Sequence, residues 1–386
     1  MNIKDDVPED VVVDILARLP VKSLLRFRMV CKAWCDIVRN PNFIATHHRN
    51  QTALNDTGGS SSARFIVNHG SRREVRLSFL SSIVEDDDKE EALTVVETVR
   101  KPFTNNFLFD PLVVGPCNGL LCLYDFEGNA ALWNPATREF KTLPLSPMDH
   151  PPFEEITSYS LVGFGFDRRS NDYKVLRFFI DGYVEDMFCI SQAELYSVSG
   201  GSWKEIPVID DVRLGPAPWF KAYNDGFYYW LTDEFILSFD MANEVFDKLP
   251  LPDDFGLSSR LYHPELTIFR GSLALVLCIV DIGPVQCLDI WLMSKHGVKE
   301  SWVKQVTIGP ILEVERPLGF WKNGRLLFED SEERLVLYHP NVQQLKNLQL
   351  RREGYTFEVV DYAESLVPIS GGLEEEPFIR TRIGNI

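Results

Sequence analysis

Five segments of this chain repeat one pattern, in which an aromatic residue precedes a turn and another large apolar residue follows it. The leading aromatic residues are spaced 63, 43, 52 and 47 positions apart, at Trp133, Tyr196, Phe239, Trp291 and Tyr338. The second residue comes seven positions later in four segments, and eleven later, as Trp302, in the segment of Trp291. Each segment predicts a strand, a turn and a second strand. A spacing of about 40 to 50 residues is typical of the four-stranded blades of a β-propeller.

A further strand precedes each hairpin. In four of the five units it is introduced by a residue followed by glycine, a pair that favours a tight turn: Asn118-Gly119, Asp225-Gly226, Arg270-Gly271 and Asn323-Gly324. Residues 64–115 hold enough β-branched and aromatic residues for a sixth, irregular blade, and residues 356–366 predict a strand that closes the ring with the first strands. We therefore predict a large all-β domain over residues 64–370, a β-propeller of about six blades.

Other repeat architectures fit this sequence less well. The units of a parallel solenoid are shorter than these. The Trp-Asp and Gly-His pairs of a WD40 propeller do not occur in the sequence, and the kelch-like Gly200-Gly201-Ser202-Trp203 occurs once. These features favour a propeller that lacks the WD40 signature.

The first 46 residues have a different, helical pattern. Apolar residues recur at helical spacing over about residues 8–19, around residues 24–27 and over residues 30–38, which predicts three amphipathic helices in an all-α head. Three such helices are too small to bury a stable core alone, and their apolar residues cover more than one face. Two arrangements remain open: a helical cap packed on the rest of the chain, or a module that docks onto a separate protein.

Polar stretches flank the predicted β domain. Residues 47–63 include a Gly/Ser-rich run, which predicts a flexible linker. The acidic C-terminal tail, residues 371–386, predicts disorder. The sequence therefore divides into a helical head (1–46), a linker (47–63), the β domain and the tail.

The net charge of the chain is −17, from 39 basic and 56 acidic residues. This balance argues against a nucleic-acid partner and against binding to an anionic membrane surface. An acidic surface favours a basic or mixed-charge protein partner, and it also keeps a protein soluble. Several acidic runs fall in predicted loops, where they form either solvated loop tips or a recognition face for a basic target: Glu85–Glu91, Asp210-Asp211, Asp253-Asp254 and Glu332-Glu333.

The sequence displays no pattern of catalytic or metal-binding residues. Its seven cysteines lack the C-x-x-C spacing of zinc or redox sites, and most lie in apolar runs, which indicates buried free thiols. The motifs H-E-x-x-H and G-x-S-x-G do not occur. His47-His48 indicates a solvated turn rather than a metal site. We expect no catalytic residue, no metal and no cofactor.

The N-terminus lacks the apolar region of a secretory signal, and the longest apolar run is too short to span a membrane.

The helical head resembles an F-box. Val7–Asp10, Leu19–Leu24 and Val30–Trp34 match the family's Leu-Pro-x-Asp/Glu, Leu-Pro-x-Lys-Ser-Leu and Val-Cys/Ser-Lys-x-Trp segments, with Val7 in place of a leucine. The resemblance implies binding to a Skp-type adaptor, which connects to a cullin and a RING subunit. The residues that it places at or just beneath the adaptor interface are Pro8, Leu16, Leu19, Pro20, Leu24, Val30, Cys31 and Trp34. Trp34 is either the central anchor of that interface or a core residue of the head.

The β domain resembles the plant F-box-associated interaction domain over about residues 95–365. The segments that carry the resemblance are Asn118–Leu123, Trp133–Arg138, Gly163–Asp167, Asp172–Val175 and Glu194–Ser197. That family includes S-locus F-box proteins of self-incompatible flowers and F-box regulators of immune receptors, and these motifs do not separate its branches. The resemblance implies a non-catalytic, cytoplasmic or nuclear subunit of an SCF ubiquitin ligase. Its β domain would bind a target protein for ubiquitination and proteasomal degradation, and a basic ribonuclease would suit the charge.

Two alternative functions remain open at this point. An adaptor-bound protein can act outside ubiquitination, and failure to recover cullin with the adaptor would favour that function. A propeller enzyme, such as a kelch-type oxidase or a cyclase, needs metal-binding or acid/base residues that converge at the centre of the ring. The sequence displays no such set of residues.

Overall fold

Four helices precede twenty-five strands in the part of the chain that the structure describes. The computed structural model describes residues 8–57, 65–70, 76–84, 91–100, 112–125, 129–147, 160–184, 187–209, 212–214, 221–232, 234–253, 262–280, 285–321, 324–354 and 357–369. The predicted disordered tail (371–386) and the second part of the predicted linker (58–63) lie outside these residues.

The helices are α1 (Glu9–Leu16), α2 (Val21–Phe27), α3 (Lys32–Arg39) and α4 (Pro41–Thr57). The first twelve strands are β1 (Phe65–Asn68), β2 (Arg76–Val84), β3 (Glu91–Arg100), β4 (Leu112–Cys117), β5 (Leu120–Tyr124), β6 (Ala130–Trp133), β7 (Phe140–Thr142), β8 (Ser160–Asp167), β9 (Asp172–Val184), β10 (Met187–Ser197), β11 (Ser202–Ile206) and β12 (Arg213–Leu214). The remaining strands are β13 (Lys221–Asn224), β14 (Phe227–Leu231), β15 (Phe235–Asp240), β16 (Val245–Pro250), β17 (Tyr262–Phe269), β18 (Ser272–Val280), β19 (Val285–Met293), β20 (Trp302–Leu312), β21 (Val314–Phe320), β22 (Leu326–Asp330), β23 (Arg334–His339), β24 (Gln344–Arg351) and β25 (Glu358–Asp361).

The described strands form six antiparallel sheets, which are the blades of a propeller. Blades 1 to 5 are β4–β7, β8–β11, β13–β16, β17–β20 and β21–β24, and blade 6 has the strand order β25-β1-β2-β3. The short strand β12 pairs with β10 beside blade 2. The leading strands of neighbouring blades contact one another, as β4 does with β8 and β21 with β25, so they lie innermost in the ring. The predicted six-bladed propeller is confirmed.

The repeated apolar pairs lie opposite one another across four of the hairpins, as their spacing predicts. These pairs are Trp133 with Phe140, Tyr196 with Trp203, Phe239 with Phe246 and Tyr338 with Leu345. Blade 4 differs, because its wider turn places Trp302 opposite Met293 and Trp291 opposite Lys304. The seven-residue spacing therefore marks a common hairpin register, and the eleven-residue spacing marks an exception to it.

Two strands from opposite ends of the β domain complete blade 6. β25 pairs with β1, so that Ile66 lies opposite Val360 and Phe65 opposite Asp361. This pairing confirms the predicted closing strand. Val67, also on β1, is fully buried, and it belongs to a cluster that extends into the strands of blade 5. Radial closure of this kind leaves no gap between the first and last blades.

The helical head packs on the segment that follows β25. The buried core that joins the two consists of Leu16, Ala17, Val21, Leu24, Val38, Phe43, Ile44 and Leu366. Ala136, in the turn between β6 and β7, and Val367 pack against this core. The head is therefore a cap on the propeller, which is one of the two arrangements that the sequence leaves open. Whether it also docks onto a partner depends on the surface that remains exposed.

The prediction of a linker that begins at residue 47 is wrong for residues 47–57, which belong to α4. Pro41 suits the first turn of this helix. His47 and Gln51 lie one turn apart on its buried face, where Phe43 precedes them at the same spacing. The sequence does not predict this helix, because polar side chains occupy core positions and interrupt the apolar periodicity.

Blade 6, which closes the ring, is expected to contribute strongly to the stability of the fold. Val67→Ala should lower the free energy of unfolding by about 2–3 kcal/mol, because it removes two methyl groups from a fully buried site. The matched control is Val245→Ala, at a side chain that is 54% exposed on β16, and its effect should stay below about 0.5 kcal/mol. Denaturant-induced unfolding of the full chain measures both values. An equal decrease in the free energy of unfolding in the two variants would contradict the expected contribution of blade 6 to stability.

Candidate adaptor-binding site

The head exposes large apolar side chains that a folded domain ordinarily buries. Val11 and Ile15, 42% and 53% exposed, lie four positions apart on α1 and therefore share one helix face. Met29 and Val30, 89% and 63% exposed, lie in the turn between α2 and α3. We call these four residues the head apolar surface. Exposed apolar side chains on so small a helical unit make these residues candidates for a protein–protein contact.

The eight residues predicted at or beneath an adaptor interface differ in exposure. Those exposed are Pro8, Val30 and Cys31, those half-buried are Leu19, Pro20 and Trp34, and those buried in the head core are Leu16 and Leu24. The structure thus brings Leu16 and Leu24 together beneath the surface and leaves Val30 and Cys31 on it. Val7 lies outside the described residues.

Sequence reasoning missed Val11, Ile15 and Met29 as candidate site residues. The available signal was that the apolar residues of the head cover more than one face. Successive helical residues point about 100° apart, so the buried position of Leu16 turns its neighbour Ile15 outward. A search for apolar helix positions that the core does not use would have found these residues.

Trp34 lies at the boundary between the head core and its surface. Its ring is half-buried, and it packs on Phe27 with ring centroids 5.3 Å apart and an interplanar angle of 57°. Its amide donates a hydrogen bond to Cys31 Sγ at 3.5 Å, at the N-cap of α3. The Trp34 backbone therefore helps to hold the turn before α3, the indole packs on the last residue of α2, and only part of the ring remains available to a partner.

The propeller fixes the orientation of α2. The amide of Val21, the first residue of the helix, donates a hydrogen bond to Glu364 Oε2 at 3.0 Å. A carboxylate at this position satisfies an amide that has no partner within the helix and interacts favourably with the helix dipole. In turn, Asn134 Nδ2 in blade 1 donates to the carbonyls of Ser365 and Val367 at 3.0 and 2.8 Å. A chain of hydrogen bonds thus connects blade 1 to the base of the candidate site.

His47 is buried, and its prediction as part of a solvated turn is wrong. Its Nε2 lies 2.8 Å from the Leu19 carbonyl oxygen, in the segment between α1 and α2. Burial lowers the pKa of His47 below its ordinary value of 6.5, because the low-dielectric core disfavours the charged ring. His48 is half-buried, and burial lowers its pKa as well. Within the described chain, no group of three or more possible metal ligands comes together.

The acidic loop clusters are only partly described. Asp253 forms a salt bridge with Lys299, while Glu332 and Glu333 pair with Arg334 and Arg352. These carboxylates therefore have local cationic partners. Residues 85–90, 210–211 and 254 lie outside the described residues, and a target-recognition face on the loops remains a prediction.

Among the helices that the structure describes, none has the length and apolar character needed to cross a membrane.

A helical head with exposed apolar side chains, packed on a six-bladed propeller, is the architecture of a substrate-receptor-like protein. The F-box domain profile matches residues 5–46, and the profile of the F-box associated beta propeller domain matches residues 73–369. The chain belongs to the family of F-box proteins that carry this propeller domain.

Several plant proteins are similar to this chain along most of its length. F-box protein At3g07870 of Arabidopsis thaliana is 28% identical, and the match covers 94% of this chain and 92% of that protein. F-box protein CPR1 of the same plant is 28% identical, with coverage of 92% and 87%. The F-box/kelch-repeat protein At3g23880 of Arabidopsis thaliana is 25% identical, and the match covers 86% of this chain and 88% of that protein. The resemblances of the head and of the β domain to their families are confirmed.

The buried His47 should make the head sensitive to acid. Its lowered pKa means that the neutral ring is favoured in the folded state, so this stabilisation is present above pH about 6.5 and is lost as the pH falls. The free energy of unfolding should therefore decrease between pH about 7.5 and about 5.5, and it should decrease less in His47→Gln. The glutamine amide can retain the hydrogen bond to Leu19.

Denaturant titrations of both chains at several pH values measure this difference. His48 and Glu364 are present in both chains, so their own titration largely cancels in the comparison. NMR titration of the ring protons, with the His47 signal assigned by its loss in the variant, gives the pKa directly. A pKa at or above 6.5 would contradict the lowering of the His47 pKa by burial.

Proposed function

We propose that this protein is the substrate-recognition subunit of an SCF ubiquitin ligase. The head binds a Skp-type adaptor, the adaptor links it to a cullin and a RING subunit, and the propeller binds a target protein for ubiquitination and proteasomal degradation. The observation that carries this proposal is the head apolar surface, which remains exposed on an F-box after the head has packed on its own propeller.

A partner would gain substantial free energy by covering this surface. Full burial of one valine or isoleucine side chain contributes about 1.5–3 kcal/mol, and a few such residues dominate the affinity of most interfaces. We assign Val11, Ile15, Met29 and Val30 to the contact, together with the exposed Pro8 and Cys31. Leu16, Leu19, Pro20, Leu24 and Trp34 support it from beneath or at its margin.

The role of this chain in ubiquitin transfer is positional. The hydrogen bond from α2 to Glu364 and the shared core at Leu366 hold the head in one orientation on the propeller. A target on the propeller would therefore stay at a limited range of distances from the conjugating enzyme, which raises the effective concentration of its lysines. In this mechanism the conjugating enzyme bound by the RING subunit supplies the thioester, and no side chain of this chain reacts.

The charge of the chain supports a basic target. A protein with a net charge of −17 attracts basic partners at long range and repels acidic ones. A secreted-type basic ribonuclease, as in self-incompatibility, and the basic face of an immune receptor both suit this requirement. We propose that the protein acts in the cytoplasm or nucleus, and proximity labelling in the native tissue with the proteasome blocked would identify its targets.

Charged substitutions on the head apolar surface should weaken adaptor binding. Ile15→Asp and Val30→Asp should each weaken the affinity for a Skp-type adaptor by at least about tenfold, because loss of a central interface residue costs about 2 kcal/mol or more. Both side chains are more than half exposed, so the fold should tolerate the change. Co-purification and surface plasmon resonance with the adaptor measure the effect.

Val342→Asp is the matched control, since this side chain is 59% exposed on blade 5, in the turn before β24. It should bind the adaptor as the unaltered chain does. Unchanged binding in both head variants would rule out the assigned surface. Adaptor binding without recovery of cullin would instead indicate a function outside ubiquitination.

A further inference from the structure

A cleft of about 470 Å³ lies between the helical head and blades 6 and 1. One wall comes from α2, and the other comes from β2, β3, the turn between β6 and β7, and the segment after β25. The volume falls within the range of about 300–1,000 Å³ that is usual for sites of small organic molecules. Of the head apolar surface, Met29 alone lines this cleft, so the cleft and the adaptor-binding surface are largely separate.

The propeller side of the cleft is aromatic. Phe79, Trp133 and Tyr362 line it, and the rings of Phe79 and Tyr362 meet edge to face with centroids 5.9 Å apart. Trp133 is only 1% exposed, and its Nε1–H meets no acceptor among the described residues. A buried donor without a partner costs free energy. An oxygen atom of a bound molecule would remove that cost.

The α2 side of the cleft is cationic. Lys22 and Arg26 lie one turn apart on the helix, and neither forms a hydrogen bond or salt bridge with another described residue. Arg138 adds a third cation, and Glu97, at 3.8 Å from it, largely balances its charge. The other carboxyl group in the cleft belongs to Glu364, which accepts the hydrogen bond from the Val21 amide and lies within electrostatic range of Lys22, so three cations face two carboxyl groups. An excess of positive charge in one cleft contrasts with the net charge of −17 for the whole chain.

We propose that this cleft binds a small organic anion with a planar aromatic body. Lys22 and Arg26 would hold its acid group, and a guanidinium recognises a carboxylate or sulfonate through paired hydrogen bonds. The aromatic body would lie against Phe79, Trp133 and Tyr362. A ligand in this position contacts both the head and the propeller. The proposed site shares only Met29 with the head apolar surface, and the proposal does not depend on the proposed function.

Two probes of equal shape and different charge test the site. 2-Naphthoate carries an aromatic body and a carboxylate, and 2-naphthamide replaces the carboxylate with a neutral amide. Ligand-observed NMR titration of the full chain should show saturable binding of 2-naphthoate, with binding of 2-naphthamide weaker by about tenfold, since hydrogen bonds to a charged group are the stronger ones.

Two pairs of variants locate the binding. The double substitution Lys22→Gln and Arg26→Gln should make the two probes bind equally weakly, whereas Lys32→Gln with Arg39→Gln, at exposed cations of α3, should leave the preference unchanged. Val96→Trp, at a side chain of the cleft that is 51% exposed, should fill the cleft and abolish binding. Its control is Val303→Trp, at a side chain 49% exposed on β20.

Each adverse result overturns the proposal. Absence of saturable 2-naphthoate binding would show that the cleft holds no such anion. Equal binding of the two probes to the unaltered chain would remove the role of the cations. If Val96→Trp still binds 2-naphthoate, or if Val96→Trp and Val303→Trp lose affinity for it equally, the probe binds outside this cleft. If Val96→Trp fails to fold, the two glutamine double variants decide the matter alone.

Discussion

The antiparallel pairing of β25 with β1 joins the two ends of the β domain within one blade. Five blades are built from strands that follow one another along the chain, so each can form from a continuous stretch of sequence. Blade 6 alone needs a strand from the far end. The ring, and the apolar contacts between blade 6 and its neighbours, exist only when that strand is in place, because no blade can bury both of its faces without the next one.

The same pairing also supports the head. β25 ends at Asp361, and the next eight residues cross the base of the helices, where Glu364 accepts a hydrogen bond from α2 and Leu366 enters the head core. Gly119 permits this crossing: its φ is 78°, and a Cβ at this position would lie 2.8 Å from the Ala363 carbonyl oxygen. Closure of the propeller and orientation of the head are therefore properties of one continuous segment.

The parts of this fold that sequence predicts are those set by local patterns. Hairpin register follows from pairs such as Trp133 and Phe140, and the tight turns follow from X-Gly pairs with the left-handed backbone that Asn118 and Gly119 adopt. The parts that the sequence does not predict depend on contacts between residues far apart along the chain. The eight candidate site residues were chosen by resemblance, and their division into exposed and buried sets depends on how the head packs on Leu366. Burial of His47 depends on the same packing, since nothing in its local sequence distinguishes it from a solvated histidine.

The position of Leu366 near the end of the described chain affects the order of events during synthesis. The head emerges from the ribosome before the propeller, but its core lacks Leu366 and α2 lacks its partner carboxylate until the last blade has been translated. A chain cut short anywhere in the propeller would carry an F-box sequence without the support that orients it. A supported orientation of the head is thereby reserved for chains that have been translated through the closing strand.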